Sequence, residues 1–146
     1  MNRSHIIASL FDTMDIAKRS MQSQMHSILA GYSISRTQLE LLFTIKHSQP
    51  VTAVQLAKKL QLTPGAISQL AEELDKQFLI VRAVDQSDRR RQVLIVSPTG
   101  IELLRTIDKR RRAVMERVML ELSDAELATW LTINNTMIKE FKDHQS

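Results

Sequence analysis

Charged side chains that can bind phosphate groups or base edges are concentrated in the stretch Asp85–Arg91. It contains two carboxylates followed by three consecutive guanidinium groups: Asp85, Asp88, Arg89, Arg90 and Arg91. A guanidinium group is always charged, and an arginine in the narrow minor groove of DNA meets a strong negative potential. Runs rich in β-branched residues flank the stretch at 79–84 and 92–96. We therefore predict a two-stranded hairpin with this stretch as its tip.

The three arginines of the predicted tip cannot all do the same work. Neighbouring strand residues point to opposite faces, so they cannot all reach one groove. We expect Arg89 or Arg90 to enter the minor groove, and at least one arginine to pair internally with Asp85 or Asp88. A simple solvated tip is the alternative interpretation of the whole stretch.

A second polar group lies on the helix predicted to begin at Thr63. The residues that its core-facing side does not need are Gly65, Ser68, Gln69, Glu72 and Lys76. Gln69 can pair with adenine through two hydrogen bonds, and Ser68 can reach a base or a phosphate. Gly65 lets a partner approach the backbone, and the positive helix end near Thr63 favours a phosphate oxygen. For Ser68 and Gln69, plain surface polarity is the competing interpretation.

The elements that must position these groups are short helices. Thr52 and Gln55 have capping-box spacing and predict a helix whose inward residues are Val54, Leu56, Ala57 and Leu60. Thr63 can cap the next helix with Pro64 at its first position, and Ile67, Leu70, Ala71 and Leu74 face inward. Two short helices joined by a tight turn, with a small residue at the crossing, are typical of a helix-turn-helix.

Longer helices flank this segment. Apolar residues recur from Ile7 to Ile28 in a narrow seam, packed either on its own chain or against a second copy. Ser35 opens a helix that ends at Gln49-Pro50, with Leu39, Leu42, Phe43 and Ile45 in its apolar stripe. Helix restarts after Ser97-Pro98, and Ser123 caps the last helix. We predict an N-terminal helix at 1–34, a DNA-binding domain at 35–97 and C-terminal helices at 98–146; the family resemblance described below implies that both flanking segments are dimerisation helices.

Composition argues against most enzyme and metal chemistry. The chain has no Cys and only three Gly, which is too few for a phosphate-binding loop. Its four histidines, at positions 5, 26, 47 and 144, lack metal-ligand spacing, and no nucleophile motif occurs. We therefore expect no catalytic residue, metal or cofactor.

Charge and hydropathy point to a polyanionic partner. The net charge is +4; the middle of the chain is basic, and residues 113–146 are acidic. With no long apolar run and no visible signal peptide, we expect a cytoplasmic protein without a membrane partner.

The run from Ser35 to Gly100 resembles the MarR family of winged-helix transcription regulators. The carrying features are Leu56-Ala57-x-x-Leu60-x-Leu62-Thr63, Leu70-x-x-x-Leu74, Leu79-Ile80-x-Arg82, Asp85-x-x-Asp88-Arg89-Arg90 and Ser97-Pro98-Thr99-Gly100. The resemblance implies a mainly α, winged helix-turn-helix fold with a two-stranded β-wing, flanked by long dimerisation helices. It also implies a homodimer on a pseudo-palindromic operator, most simply as a repressor of transcription.

The resemblance assigns roles to particular residues. Ser68 and Gln69 would read the major groove, Arg89 or Arg90 would lie at the wing tip, and Asp88 would pair with Arg82 or Arg90. The DNA-binding set predicted on all these grounds is Thr63, Gly65, Ser68, Gln69, Lys76, Arg82, Arg89, Arg90 and Arg91, with Asp85 and Asp88 stabilising the wing. Many members respond to small aromatic ligands bound between the dimerisation helices and the DNA-binding lobe. Here Met14, Met21 and Met25 can line a pocket or belong to an ordinary seam.

Three residues depart from the family pattern. Gln69 stands where Arg is common, and Gln61 and Phe78 stand where Gly is common. A left-handed Phe78 would store roughly 1–2 kcal/mol of strain, which we expect a buried ring to offset.

A different class of function is the alternative. The same scaffold can serve as a winged-helix adaptor that binds protein rather than an operator, because fold does not fix function.

Overall fold

The computed structural model describes residues 2–143, so His144 lies outside the described residues. Within that range the elements are α1 (Arg3–Leu29), α2 (Arg36–Ser48), α3 (Ala53–Leu60), α4 (Pro64–Lys76), β1 (Ile80–Val84), β2 (Gln92–Val96), α5 (Pro98–Leu120) and α6 (Asp124–Asp143). This confirms the predicted fold class: a mainly helical chain with a helix-turn-helix, α3 and α4, followed by a two-stranded wing.

Local capping fixes where the helices begin. At α2, the N–H of Gln38 donates to Ser35 Oγ at 3.1 Å, and the Gln38 side chain accepts from the N–H of Ser35 at 2.8 Å. Thr52 and Gln55 repeat this reciprocal pair at α3. The hydroxyl of Thr63 accepts from the N–H of Ala66 at the start of α4. Each cap satisfies backbone donors that the first helical turn leaves without partners.

The core belongs to the first of two compact units, which divide after Asp108. Its largest fully buried side chains include Leu41, Leu42, Ile45, Leu56, Ile67, Leu74, Ile80, Leu104 and Ile107. Leu41 was not expected inside, whereas Val54, expected inside, is exposed. At 3.6 residues per turn, Leu56, Ala57 and Leu60 share one side of α3, and Val54 lies off that side.

The wing is an antiparallel pair in which Ile80 lies opposite Val96, and Val84 opposite Gln92. A bridge at Val51 extends it: the N–H of Leu94 donates to the carbonyl of Val51 at 2.7 Å. A single bridging residue has no periodic pattern, so the sequence does not predict this bridge. It ties β2 to the segment between α2 and α3, so the wing is anchored to the helical core.

Phe78, between α4 and β1, has a left-handed backbone with φ 59°, one of the two geometries left open for it, but the expectation of a buried ring is wrong. The side chain is 77% exposed. Backbone hydrogen bonds hold the residue instead. The Ser97 hydroxyl donates to the Phe78 carbonyl at 2.6 Å and accepts from the N–H of Gly100 at 2.9 Å, while the N–H of Phe78 donates to the Asp75 carbonyl.

Glycine is required at only one side of this junction. A Cβ added to Gly100 would fall on the carbonyl oxygen of Leu79, so α5 can approach β1 only without a side chain there. Gln61, at the turn of the helix-turn-helix, is also left-handed, with φ 54°. Its N–H and that of Leu62 both donate to the carbonyl of Ala57, which closes α3 without a glycine.

The described part of the second unit, from Lys109 onward, contains the end of α5 and α6. Ser123 and Glu126 form the predicted cap, and the pKa of Glu126 is lowered chiefly by the hydrogen bond from the Ser123 hydroxyl. α6 has no buried residue among those described. Its exposed large apolar side chains are Leu131, Ile133, Ile138 and Phe141.

Substitutions at position 78 test whether the backbone or the ring stabilises the junction. Phe78→Gly removes left-handed strain and is expected to raise the free energy of unfolding by about 1 kcal/mol. Phe78→Ala keeps the strain and is expected to change it by less than about 0.5 kcal/mol, as for an exposed side chain. Urea denaturation measures both. A loss of roughly 3 kcal/mol or more in Phe78→Ala, typical of a buried ring, would contradict this account.

Candidate nucleic-acid interface

The start of α4 presents free backbone to a partner. Gly65 has no positive φ, and a Cβ added there would meet nothing within 4 Å. Nothing among the described residues therefore demands glycine at this position. The Gly65 N–H also has no acceptor within residues 2–143, and it lies at the positive end of the helix. These features suit the close approach of a phosphate, as predicted for Thr63 and Gly65.

Ser68 and Gln69 are exposed on the following turn of α4, as predicted. The amide nitrogen of Gln69 donates to Glu73 Oε1 over a long 3.4 Å hydrogen bond. The other oxygen of Glu73 accepts from Gln38 Nε2 at 2.6 Å, and Gln38 is buried on α2. The sequence predicts Gln38 only as the capping partner of Ser35, and it does not predict a role for Glu73. The i, i+4 spacing of Gln69 and Glu73 was a signal for one contact, but nothing local indicates the contact from α2.

Lys76 lies at the end of α4 and is paired with Glu72, Nζ to Oε1 2.8 Å. The hydrogen bond from Lys76, followed by its charge, lowers the pKa of Glu72. The same hydrogen bond and the Glu72 charge raise the pKa of Lys76. The predicted DNA contact of Lys76 would therefore compete with a partner on its own helix.

Arg82 lies on β1 and corrects one expected pairing. Its Nε contacts Asp75 Oδ2 on α4 at 3.3 Å, so Arg82 is not the partner of Asp88. The two residues are seven apart in sequence and meet because the chain reverses at Phe78. This ion pair connects α4 to the wing, so the predicted DNA contact of Arg82 would compete with Asp75.

The two aspartates organise the wing tip, as predicted. Asp85 Oδ1 accepts from the N–H of Ser87 at 2.9 Å and from its hydroxyl at 2.8 Å. The backbone bond, then the hydroxyl bond, lower the pKa of Asp85. Asp88 Oδ1 accepts from the backbone N–H of Arg90 at 3.0 Å, and Asp88 Oδ2 contacts Arg91 Nε at 3.3 Å.

These contacts sort the three arginines. Arg91 is the internally paired member, which confirms that one arginine is held by an aspartate. The expected pairing of Asp88 with Arg90 is made through the Arg90 backbone and not through its guanidinium. Within residues 2–143 the side chains of Arg89 and Arg90 have no ion pair or hydrogen bond. Two exposed guanidinium groups therefore remain at the tip.

A cavity of about 400 Å³ lies in the first unit where α1 ends and α2 begins. Its lining combines apolar and polar side chains: Gln22, Met25, His26, Leu29, Ala30, Ile34, Ser35 and Arg36. Of the three methionines considered for a pocket, Met25 lines this one, whereas Met14 and Met21 are exposed on α1.

Two kinds of site are absent from the described range, residues 2–143. No group of three or more His, Asp or Glu side chains in this range could hold a metal ion. None of the helices in this range is long and apolar enough to span a membrane.

Known proteins are similar to this chain over the segment that contains the helix-turn-helix. The model of the MarR family matches residues 32–91. The HTH-type transcriptional regulator MhqR of Bacillus subtilis is 25% identical over 118 residues, which is 81% of this chain and 81% of MhqR. The HTH-type transcriptional repressor MdtR of the same organism is 23% identical over 109 residues, 75% of this chain and 70% of MdtR.

Solved structures share the fold. A MarR family protein from Bacillus stearothermophilus superposes with a TM-score of 0.85 at 16% identity, covering 97% of this chain and 99% of that one. A point mutant of Staphylococcus aureus MepR, solved bound to an oligodeoxyribonucleotide, superposes with a TM-score of 0.69 at 23% identity over 92% and 97% of the two chains. The family match covers the helix-turn-helix, β1 and the wing tip, and over this segment the chain is similar to the MarR family of helix-turn-helix transcriptional regulators.

Proposed function

We propose that this DNA-binding regulator is a homodimeric repressor that recognises a pseudo-palindromic operator. The observation that carries the proposal is the pair of unpaired guanidinium groups, Arg89 and Arg90, on a wing that the Arg82–Asp75 ion pair ties to α4. In this arrangement α4 enters the major groove with Ser68 and Gln69, and one wing arginine enters the minor groove. MdtR is named a repressor, and the oligodeoxyribonucleotide complex of MepR supports DNA binding by this fold.

The dimer is proposed from apolar surface that the chain leaves uncovered. Along α1 the exposed large apolar residues include Ile7, Leu10, Met14 and Met21, which belong to the seam seen in the sequence. α6 exposes a further set in the second unit. A single copy leaves these side chains in water, so burying them against a second copy is favourable. We assign residues 1–34 and 98–146 to this dimerisation role.

The wing assignment is tested by the double variant Arg89→Ala/Arg90→Ala. Its affinity for a selected operator is expected to fall, and the slope of log affinity against log salt is expected to decrease by at least about one, for the arginine that enters the minor groove. Arg105→Ala, which removes a paired arginine from α5, is the control and should leave both quantities unchanged. Fluorescence anisotropy over a salt series measures them.

Unchanged affinity in the double variant would remove the wing from the interface. If the parent protein itself shows no sequence preference in low salt, the winged-helix adaptor that binds protein becomes the better interpretation.

The dimer makes a separate prediction. Leu10→Glu places a charge on the α1 seam and is expected to shift the protein from dimer to monomer in sedimentation, with loss of paired half-site protection. Half-sites about 10 base pairs apart, one turn of B-DNA, are expected in footprints of the parent. Ala8→Glu, on another side of α1, is the control. A parent that sediments as a monomer and protects one half-site would contradict the proposal.

The cavity is the proposed site for a small aromatic acid that releases the protein from DNA. Met25 and Leu29 offer apolar contacts, while His26 and Arg36 offer donors for a carboxylate. Such a ligand would raise the melting temperature, by an amount equivalent to about 2.7 kcal/mol at a concentration of 100 Kd.

A thermal-shift series with benzoic and hydroxybenzoic acids tests this site. The expected result is a shift in the parent, loss of operator affinity with the same acid, and no shift in Met25→Trp, where the larger ring fills the cavity. An equal shift in Met25→Trp would place the ligand elsewhere.

A further inference from the structure

We propose that Glu73, held by the buried Gln38, fixes the amide of Gln69 in the orientation that selects adenine over guanine. Neither Glu73 nor Gln38 contacts a base in the proposed complex. Both are positioning residues, and the inference rests on the proposed reading of the major groove by α4.

The orientation begins at the cap of α2. The Gln38 carbonyl oxygen Oε1 accepts from the N–H of Ser35 at 2.8 Å, so the other end of the amide, Nε2, must point away from the cap. There Nε2 donates to Glu73 Oε2 at 2.6 Å, a charge-assisted hydrogen bond. Gln38 is only 8% exposed, so water cannot readily replace either partner.

The same orientation is passed on to Gln69. A carboxylate accepts hydrogen bonds and cannot donate one, so Glu73 can only face an amide N–H group. Glu73 Oε1 lies 3.4 Å from Gln69 Nε2. If the Gln69 amide turned over, its carbonyl oxygen would face the carboxylate and repel it. Glu73 therefore disfavours one of the two amide orientations.

The fixed amide matches one base. Gln69 keeps one N–H donor and its Oε1 acceptor for a partner, because Glu73 occupies the other N–H. In the major groove adenine presents N7 as an acceptor and the N6 amino group as a donor, which this pair satisfies. Guanine presents acceptors at both N7 and O6, so Oε1 would oppose O6. Good bidentate pairing discriminates between bases by roughly 5- to 140-fold.

Selection of bound sequences from random DNA, followed by affinity measurements on the adenine and guanine versions of the selected site, tests the proposal. The parent is expected to select adenine at one position in each half-site, and Gln69→Ala should abolish that preference. Glu73→Gln is expected to reduce the adenine-to-guanine affinity ratio about tenfold. A glutamine at position 73 carries an NH2 group in place of one carboxylate oxygen, so either Gln38 or Gln69 would face a donor where it now meets an acceptor.

Two further variants separate positioning from charge and from folding. Glu40→Gln removes an exposed carboxylate from α2 and should leave the base ratio unchanged, although its charge change is the same. Gln38→Leu removes the contact that holds Glu73 and is expected to lower the ratio in the same direction. The melting temperatures of all variants are measured as well. A purely structural role of Glu73 or Gln38 requires that the adenine-to-guanine affinity ratio falls only when the melting temperature falls.

The outcomes are distinguishable. An unchanged adenine preference in both Glu73→Gln and Gln38→Leu overturns the inference and leaves the proposed function standing. A selected site whose preferences do not depend on Gln69 does the same. A parent that selects no sequence overturns the proposed function and this inference together.

Discussion

The hydrogen bonds of the Ser97 side chain fix the position of the wing relative to α4. One hydroxyl donates to the carbonyl of the strained Phe78 and accepts from the N–H of Gly100, so the end of α4, the start of β1 and the start of α5 meet at one side chain. The N–H of Ser97 also donates to the Leu79 carbonyl. A left-handed non-glycine residue persists only when its surroundings hold it, and these bonds supply that hold.

The Ser97 junction matters because, in the proposed DNA complex, the wing and α4 reach adjacent grooves of the same duplex. The Arg82–Asp75 pair spans the same reversal and links side chains where Ser97 links backbone. The Val51–Leu94 bridge anchors β2 from the other side. These three connections tie the strands of the wing to the helix-turn-helix, so less of its backbone has to be ordered in the proposed DNA complex at a cost in conformational entropy.

Three of the five cationic side chains discussed at the candidate interface are paired with nearby carboxylates, and two are not. Lys76, Arg82 and Arg91 each have an acidic partner within seven residues, and such exposed pairs contribute little to stability. These ion pairs instead determine which cationic side chains are available to a partner. At the wing, those are Arg89 and Arg90. Glu73 is different, since its partner Gln38 is buried on another helix and makes its position a property of the fold.

The sequence by itself determined the features that depend on a few neighbouring residues. The caps at Ser35, Thr52 and Thr63 and both wing strands could be predicted, because a hydroxyl three residues from a free N–H or an alternating β-branched run acts within its own segment. Tertiary structure alone decided that Arg82 meets Asp75, that the Phe78 ring lies in water and that Gln38 holds Glu73. Those outcomes require the chain reversal at Phe78 or the packing of α2 against α4. Several nearby charged or polar groups could pair with similar strength, so the spacing of residues along the sequence does not predict which pair forms.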